Sequence, residues 1–318
     1  MKIIKSLFSN KASDRWFRIL VSLAVLMIVL FLYKQWVAKY ASSTTEGFTQ
    51  NEKYVMKRER DSYDDFYTQI YDYLQLTQER SKFEMKHVIE STQPDKEFSR
   101  FLDIGCGTGC LVKLLHDEGY YAQGIDQSKA MIKTGLSRNP SIRIAVGDAE
   151  DTSEIEKSSM THITCMNFTI YAFEDKIAFF RNCYYWLTPG GYLFLHTVHR
   201  NKFDPIVPAG KPILLKHAQT YAKTRITDTA IDFVDFKYKS SFDFSNVDDK
   251  NVAVQTETFT DKSTGNIRQN ENTFHMESEQ DILKKAGFAG FILQSKFQMK
   301  DYNQDEHQTV YILEKNSN

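Results

Sequence analysis

An apolar strand that stops at an acidic residue and then breaks into alternating glycines is the feature that most constrains this chain. It is the run Arg100-Phe101-Leu102-Asp103-Ile104-Gly105-Cys106-Gly107-Thr108-Gly109. Glycine tolerates positive φ and close approach of a ligand, so the run predicts a tight turn from strand to helix that faces a bound molecule. The next helix, predicted over residues 111–118 and ended by Gly119, would direct its positively polarised N-terminus toward that molecule.

The spacing of the glycines separates two classes of nucleotide-binding fold. The dinucleotide fingerprint is G-x-G-x-x-G, whereas here the third glycine is Gly109 and Cys110 occupies the dinucleotide position. This G-x-G-x-G run resembles motif I of class I S-adenosylmethionine-dependent methyltransferases, with similarity to methyltransferase domains of types 11 and 25. The resemblance implies that the glycine loop faces the amino-acid half of the cofactor and that Asp103 helps to hold it. A tight turn without a ligand is the alternative.

A second acidic residue follows the next predicted strand, residues 121–125. An acidic side chain at this strand end, here Asp126, can accept hydrogen bonds from both ribose hydroxyls. A helix cap is the alternative role for a lone aspartate after a strand, but Ser128 could supply that cap. We therefore predict that Asp126 binds the ribose of the cofactor.

Two later strands end in further candidate contacts. After the predicted strand 142–146, the resemblance implies that Asp148 and Ala149 lie at the adenine, although Gly-Asp alone is more often a turn. Asn167 and Phe168 follow strand four, an edge from which family members commonly present cofactor or substrate contacts. The resemblance thus implies S-adenosylmethionine as cofactor, with contacts in or just after the predicted strands: Asp103, Gly105, Cys106, Gly107, Gly109, Asp126, Gln127, Asp148, Ala149, Asn167 and Phe168.

The C-terminal part completes an α/β fold. A Thr-Pro-Gly-Gly turn at 188–191 leads into strand five, and a helix over 278–286 precedes two strands, 291–297 and 309–313, that can form a hairpin. A final antiparallel hairpin strand is typical of these methyltransferases and unusual for a simple dinucleotide fold. We predict a seven-stranded, mostly parallel Rossmann-like methyltransferase sheet with a terminal antiparallel hairpin strand.

The N-terminal region has a different character. Residues 19–33 are an unbroken apolar run between Arg18 and Lys34. With its apolar flanks the stretch 16–37 is long enough to cross the hydrocarbon core of a bilayer if the two cations snorkel. We predict one transmembrane helix here. A cleaved signal peptide and a buried core helix are the alternatives.

The charges around this segment predict its orientation. Lysines and arginines are concentrated in the short basic tail 1–15 and at Arg18, so the positive-inside rule places the N-terminus in the cytosol. The side on which the catalytic domain lies stays open, because this orientation would separate it from cytosolic cofactor. Residues 38–60 are predicted to be a linker and residues 61–318 the methyltransferase domain.

Two segments lie outside the predicted nucleotide fold. A helix that Ser62 opens carries an apolar stripe, from which Tyr63 and Tyr67 are candidates to close over cofactor or acceptor; packing against the sheet is the alternative. Residues 200–275 are longer than the connection needs and alternate in polarity, which predicts a β-rich insert that roofs the site as a lid. Such lids usually carry acceptor specificity in the family, so the resemblance implies that role here. A structural extension or a partner surface is the alternative.

Composition and motifs narrow the chemistry. The net charge of −1, with no long basic run after the N-terminal region, argues against nucleic acid as a partner, and no cluster has metal-ligand spacing. A hydroxyl acceptor would benefit from a general base, for which His196, His199 and Tyr67 are the candidates; a packed or solvent-facing role is the alternative. The family's Asn/Asp-Pro-Pro-Tyr motif is missing, which argues against exocyclic amines of bases and glutamine amides as acceptors.

Together these patterns predict a membrane-anchored S-adenosylmethionine-dependent methyltransferase that acts on a small-molecule or lipid-like acceptor. A protein methyltransferase is the enzymatic alternative, and a non-catalytic membrane scaffold that retains the fold is the alternative of another class. The acceptor, its reacting atom, the use of a general base and the oligomeric state stay open.

Overall fold

The computed structural model describes residues 12–41, 51–211 and 218–316. The chain divides into two compact units, with the boundary between residues 48 and 49. The first unit contributes one described helix, α1 (Ala12–Ala41), which covers the segment predicted to cross a membrane.

The predicted transmembrane helix is not found. In the described part of the chain, no helix combines the length and the apolar character that crossing a membrane requires. The uninterrupted apolar run, residues 19–33, is shorter than a helix needs to span a hydrocarbon core. The prediction reached a sufficient length only by counting residues beyond Arg18 and Lys34. Most of the basic tail lies outside the described residues, so the cytosolic N-terminus stays a prediction.

Twelve strands form two sheets among residues 51–211 and 218–316. They are β1 (Tyr54–Arg58), β2 (Arg100–Ile104), β3 (Tyr121–Asp126), β4 (Arg143–Val146), β5 (Met160–Cys165), β6 (Leu187–Val198), β7 (Asp228–Asp232), β8 (Phe236–Asp243), β9 (Val252–Asp261), β10 (Ile267–His275), β11 (Phe291–Gln298) and β12 (Gln308–Lys315). Helices in the same residues are α2 (Asp65–Gln75), α3 (Thr77–Thr92), α4 (Cys110–Asp117), α5 (Lys129–Arg138), α6 (Lys176–Trp186), α7 (Val247–Lys250), α8 (Glu279–Phe288) and α9 (Lys300–Asn303).

The larger sheet has seven strands in the order β11-β12-β6-β5-β2-β3-β4. The five strands from β6 to β4 are parallel, whereas β12 pairs antiparallel with both β6 and β11. The predicted fold class and its terminal antiparallel hairpin strand are therefore confirmed. Because β3 and β5 flank β2 on opposite sides, the loops after β2 and β5 diverge and open a crevice at the carboxyl edge of the sheet.

Apolar residues on both faces of this sheet explain why it is covered by helices. Successive residues of a strand point to opposite faces. In β2, Phe101 joins one buried cluster with Val112 of α4, while Leu102 joins the other cluster with Phe180 of α6. A strand that is buried on both faces carries apolar residues at adjacent positions, as Phe101 and Leu102 do in β2.

The second sheet confirms that the insert is β-rich. Its order is β1-β10-β9-β8-β7, and the strands from residues 228–275 pair antiparallel. The strand β1, which precedes the strands of the larger sheet along the chain, joins this second sheet and pairs parallel with β10. The predicted linker 38–60 is therefore wrong at both ends, because α1 extends to Ala41 and β1 begins at Tyr54. Residues 42–50 lie outside the described residues.

The helix predicted to begin at Ser62 begins three residues later. Ser62 lies in a 3-10 turn, and its hydroxyl donates to the carbonyl of Glu59 and to Asn272 on β10. A serine engaged in this way does not cap a helix. Asp64 caps α2 instead, accepting the backbone N–H of Tyr67 at 3.2 Å. The apolar stripe of α2 faces the insert, where the rings of Phe66 and Phe259 lie 5.2 Å apart.

Two glycines with similar backbone conformation should respond differently to alanine. Gly109 has φ +78, and a Cβ there would lie 2.7 Å from Ile142 Cδ1; Gly265 has φ +74 and open space around it. We expect Gly265→Ala to lower the free energy of unfolding by roughly 1–2 kcal/mol through backbone strain. Gly109→Ala should lower it by roughly 1–3 kcal/mol more, through overpacking. Urea denaturation measures both, and equal losses would contradict the packing role of Gly109.

Candidate functional site

The glycine turn after β2 is held on the end of β3. The N–H groups of Gly105 and Cys106 donate to the carbonyl of Ile125 at 2.9 and 3.1 Å, and the N–H of Gly107 donates to Asp126 Oδ2 at 2.9 Å. Gly105 and Gly107 both have positive φ, which explains the residue type at these positions. A Cβ on Gly107 would meet no atom closer than 3.9 Å, so its absence leaves room at the turn.

The carboxylate of Asp126 has a partner on each oxygen. Besides the N–H of Gly107, the N–H of Ser128 donates to Oδ1 at 2.8 Å. Burial raises the pKa of Asp126, and these two backbone hydrogen bonds oppose the increase. Ser128 caps α5, accepting the N–H of Met131, so Asp126 is not the helix cap. The alternative role for Asp126 in the sequence analysis is thereby excluded.

A cavity of about 370 Å³ opens beside this turn. Its size lies within the range of small-molecule sites. Predicted cofactor contacts from four strand ends line it: Gly105, Gly107, Asp126, Gln127, Ala149, Asn167 and Phe168. The structure thus brings seven of the eleven predicted residues together at the carboxyl edge of the sheet.

Four predicted residues do not line this cavity. Asp103 and Cys106 face a neighbouring small cavity, whereas Gly109 and Asp148 line none of the described cavities. Gly109 precedes α4 and packs against Ile142 and Ile144, so it serves close helix–sheet packing. The carboxylate of Asp148 accepts the N–H of Glu150 and closes the turn after β4. The structure shows a turn at Asp148, and its predicted contact with the adenine stays a prediction.

Buried charges line the small cavity, which has a volume of about 40 Å³. Arg80 Nε lies 3.5 Å from Glu84 Oε1, and Thr164 donates its hydroxyl to Asp103 Oδ1 at 2.7 Å. Burial raises the pKa of Glu84 to about 7, against the opposing effect of Arg80. Burial also raises the pKa of Asp103 to about 7, against its hydrogen bond from Thr164.

Three tyrosines in and just before α2 stand at the junction of the site. The ring centroids of Tyr63, Tyr67 and Tyr71 lie 5.5 to 6.3 Å from one another. Tyr71 accepts a hydrogen bond from Asn167 Nδ2 at 3.0 Å. Asn167 and Phe168 both have positive φ, a strained conformation for residues other than glycine that is common at functional sites. This conformation turns the chain after β5 between two cavities.

A further cavity of about 320 Å³ lies on the other side of this junction. It shares five residues with the 370 Å³ cavity, namely Tyr63, Tyr71, Asn167, Phe168 and Phe274. Its apolar wall comes from the segment after β6 and from the insert, including Ile206, Val207 and Phe242. The insert and α2 thus contribute walls to the described cavities, while closure of the insert as a lid stays a prediction.

The three catalytic candidates differ in position. His196 lines the 320 Å³ cavity, with Nδ1 3.4 Å from the backbone N of Phe168, which donates to it. Tyr67 also lines the cavity, but its hydroxyl donates to Glu257 at 2.9 Å, and burial raises its pKa well above the usual value. His199 lines none of the described cavities, and its ring lies 5.9 Å from that of His307.

Sequence reasoning missed Arg80 and Glu84. Together with Val88 they recur every four residues on the buried face of α3. Opposite charges at this spacing normally indicate a solvated helix face, which hides their burial. It also missed Asn272 and Thr273 of β10, which line the 370 Å³ cavity and carry no local signal.

Comparisons with known proteins agree with this geometry. Residues 102–195 match the methyltransferase domain family. The ubiquinone biosynthesis O-methyltransferase of Xanthomonas oryzae pv. oryzae is 32% identical over 114 residues, which are 35% of this chain and 47% of that protein. The chain therefore spans about half the length of the curated relatives it matches.

Solved structures share the fold of this domain. An S-adenosylmethionine-dependent methyltransferase of Clostridium acetobutylicum has a TM-score of 0.58 at 17% identity, covering 79% of this chain and 98% of that one. An amino pentose methyltransferase of Micromonospora echinaspora, solved with S-adenosylmethionine bound, has a TM-score of 0.51 at 14% identity, covering 75% of this chain and 91% of that one. These likenesses show the fold, and residues 102–195 match the methyltransferase domain within it.

The buried carboxyl groups of Glu84 and Asp103 should make the free energy of unfolding depend on pH. A carboxyl group whose pKa is raised on folding retains its proton, so the free energy of unfolding falls as the pH rises from 4.5 to about 7. As the pH rises from about 5 to about 8, we expect the free energy of unfolding of the wild-type protein to fall by roughly 1–2 kcal/mol more than that of Glu84→Gln. Urea denaturation at each pH measures this difference.

Glu90→Gln is the matched control on the same helix. The Glu90 side chain is 59% exposed in its pair with Lys86, so this variant should follow the pH dependence of the wild-type protein. If Glu84→Gln follows it too, Glu84 does not retain its proton in the folded state.

Proposed function

We propose that this protein transfers a methyl group from S-adenosylmethionine to an oxygen atom of a small-molecule acceptor. The observation that carries the proposal is the pair of cavities that meet at Tyr63, Tyr71, Asn167, Phe168 and Phe274. One cavity would hold the cofactor and the other the acceptor. Oxygen is favoured because the matching relatives are named O-methyltransferases, and because the described acceptor-cavity residues include a single carboxylate, Asp204, already paired with Lys211 at 2.8 Å.

The donor set fits the cofactor part by part. Asp126 faces the cavity with two oxygens whose remaining lone pairs can accept from ribose hydroxyls. In the small cavity, the Arg80 guanidinium suits a carboxylate, and the carboxyl group of Asp103 suits an ammonium group. The glycine turn supplies the bare backbone between these two places. Arg80 would therefore bind the amino-acid end of the cofactor and Asp126 its ribose.

The chain's own contribution is to bind, orient and exclude water. When bound, S-adenosylmethionine supplies a methyl group on a positively charged sulfur. Tyr63 and Tyr71 present aromatic rings at the junction, where a positive charge is attracted to a π face. The apolar wall formed by Ile206, Val207 and Phe242 favours an acceptor with an apolar, lipid-like body. Enclosing both reactants in one orientation supplies much of the acceleration of a displacement reaction.

Two substitutions should separate the two ends of the cofactor site. Asp126→Asn should lower the affinity for S-adenosylhomocysteine and the affinity for adenosine alike, by roughly tenfold or more, because both ligands contain the ribose. Arg80→Gln should lower the affinity for S-adenosylhomocysteine to a similar degree. Its affinity for adenosine, which lacks the carboxylate, should not change. Isothermal titration calorimetry measures both affinities. Equal binding of S-adenosylhomocysteine to wild type and Asp126→Asn would refute the ribose role.

Controls exclude indirect effects on the fold. Glu84→Gln breaks the ion pair with Arg80 but keeps the guanidinium, so its affinity for S-adenosylhomocysteine should stay near that of Glu90→Gln. Asp117→Asn removes an exposed carboxylate at the end of α4 and should not change either affinity. If Glu84→Gln lost as much affinity for S-adenosylhomocysteine as Arg80→Gln does, the Arg80–Glu84 ion pair would be the cause. A direct contact between Arg80 and the carboxylate of the ligand would then be contradicted.

Methyl transfer itself can be followed with a radiolabelled methyl group. Wild-type protein, S-adenosylmethionine and a cell extract should give label in the small-molecule fraction, with apolar acceptors in the chloroform phase, and Asp126→Asn should give little. Label in protein would indicate a protein methyltransferase instead. If the cofactor binds and no fraction is labelled, the protein is a non-catalytic scaffold and the proposed function is wrong.

A further inference from the structure

We propose that His196 binds the acceptor as a hydrogen-bond donor to an oxygen anion, and does not act as the base that removes a proton from it. This inference rests on the proposed function and assigns the form in which the acceptor reacts. The acceptor chemistry it selects is an ionised oxygen, supplied by an acidic hydroxyl such as a phenol or by a carboxylate.

The position of the proton on His196 follows from its neighbour. The backbone N–H of Phe168 donates to Nδ1 at 3.4 Å, so Nδ1 accepts and a neutral ring carries its proton on Nε2. His196 is 1% exposed and lines the acceptor cavity. Its Nε2 makes no hydrogen bond of normal geometry within the described ranges, and the Gln308 side chain interacts with the ring more weakly than burial and Arg80 do. A buried donor without a partner is costly, and an acceptor oxygen in the cavity would satisfy it.

The charges around the cavity keep this histidine neutral. Burial and the positive charge of Arg80 lower the pKa of His196 to about 3, against a smaller opposing effect of the Gln308 side chain. Other titratable groups of the described residues that face the same cavity come from α2 and the turn before it, from α9 and from the segment after β6: Tyr63, Tyr67, Tyr71, Tyr302, Asp204 and Lys211. Burial raises the pKa of each tyrosine, so these side chains stay neutral near pH 7.

The one carboxylate among these described residues is already occupied. Besides its pair with Lys211, Asp204 accepts the N–H of Ile206 at 3.0 Å and the side-chain amide of Gln219 at 2.9 Å. With Asp204 offset by Lys211, the N–H of His196 and the positively charged sulfur of bound S-adenosylmethionine would give the cavity an excess of positive potential. An anion gains from this field, whereas a protonated amine is disfavoured.

An anionic oxygen also removes the need for a base. Its lone pair forms the new O–C bond while the C–S bond to the methyl group breaks and leaves its electron pair on sulfur. The products are a neutral methyl ether or ester and a neutral thioether, and no proton moves in this step. A neutral hydroxyl would have to lose its proton, and the N–H at Nε2 has no lone pair with which to take it.

Binding of 4-nitrophenol to protein saturated with S-adenosylhomocysteine tests the proposal, because its visible band reports ionisation. We expect the bound molecule to be the phenolate, with its pKa lowered by roughly one unit. His196→Phe, which removes the donor, should bind it roughly tenfold or more weakly. His196→Gln, which keeps an amide donor, should lie closer to wild type. Competition by benzoate shows which group of the acceptor supplies the oxygen anion. Stronger binding of benzoate indicates a carboxylate, and stronger binding of 4-nitrophenolate indicates an acidic hydroxyl.

Each failure has a separate meaning. If neither probe binds, if 4-nitrophenol binds in its neutral form, or if His196→Phe binds as tightly as wild type, the donor role of His196 is overturned. Calorimetry with S-adenosylhomocysteine on the same samples tests the proposed function independently. Intact cofactor binding together with failed anion binding removes only this inference.

Discussion

The site depends on the carboxylate of Asp126, which joins three elements of the sheet edge. One oxygen accepts the N–H of Gly107 in the turn after β2, and the other accepts the N–H of Ser128 at the start of α5. With the amides of Gly105 and Cys106 bound to Ile125, three successive N–H groups of the turn are fixed on the end of β3. These hydrogen bonds hold the turn in place, because an amide that is shielded from water and has no partner is costly. The group that shapes the turn is therefore also the group that faces the cavity.

Features that depend on local rules could be predicted from the sequence. The glycine spacing, the strand ends and the terminal hairpin each follow from short-range sterics and apolar patterning, and all of them are present in the structure. What spacing does not determine is the direction of a side chain after the strand ends. Asp126 and Asp148 occupy equivalent places in the pattern, and each accepts the N–H two residues further on, but only Asp126 lines the cavity.

Contacts between distant segments could not be predicted in this way. The strand β1 pairs with β10, which lies far along the chain, and draws residues of the predicted linker into the second sheet. The buried carboxylate of Glu257 accepts both the Tyr67 and the Tyr238 hydroxyls, which ties α2 to the insert. Tertiary context decides which strand a given strand pairs with and which segment a helix packs against. The pattern of polarity along the chain therefore does not show that β1 pairs with β10 or that α2 packs against the insert. The wall of the acceptor cavity is built from such non-local contacts, which explains why acceptor specificity is the part of the function that the sequence predicts least well.

The histidine near the end of β6, His196, shows how one position can support two different chemistries. A histidine near an acceptor can act as a base when its free nitrogen has a lone pair, and as a donor when that nitrogen has the proton. At His196 the choice is made by the backbone of Phe168, whose left-handed conformation directs its N–H at Nδ1. The same strained turn separates the two cavities and contributes Phe168 to both. One local conformation therefore couples the shape of the junction to the protonation of the acceptor site, so a substitution that relaxed the turn would change both together.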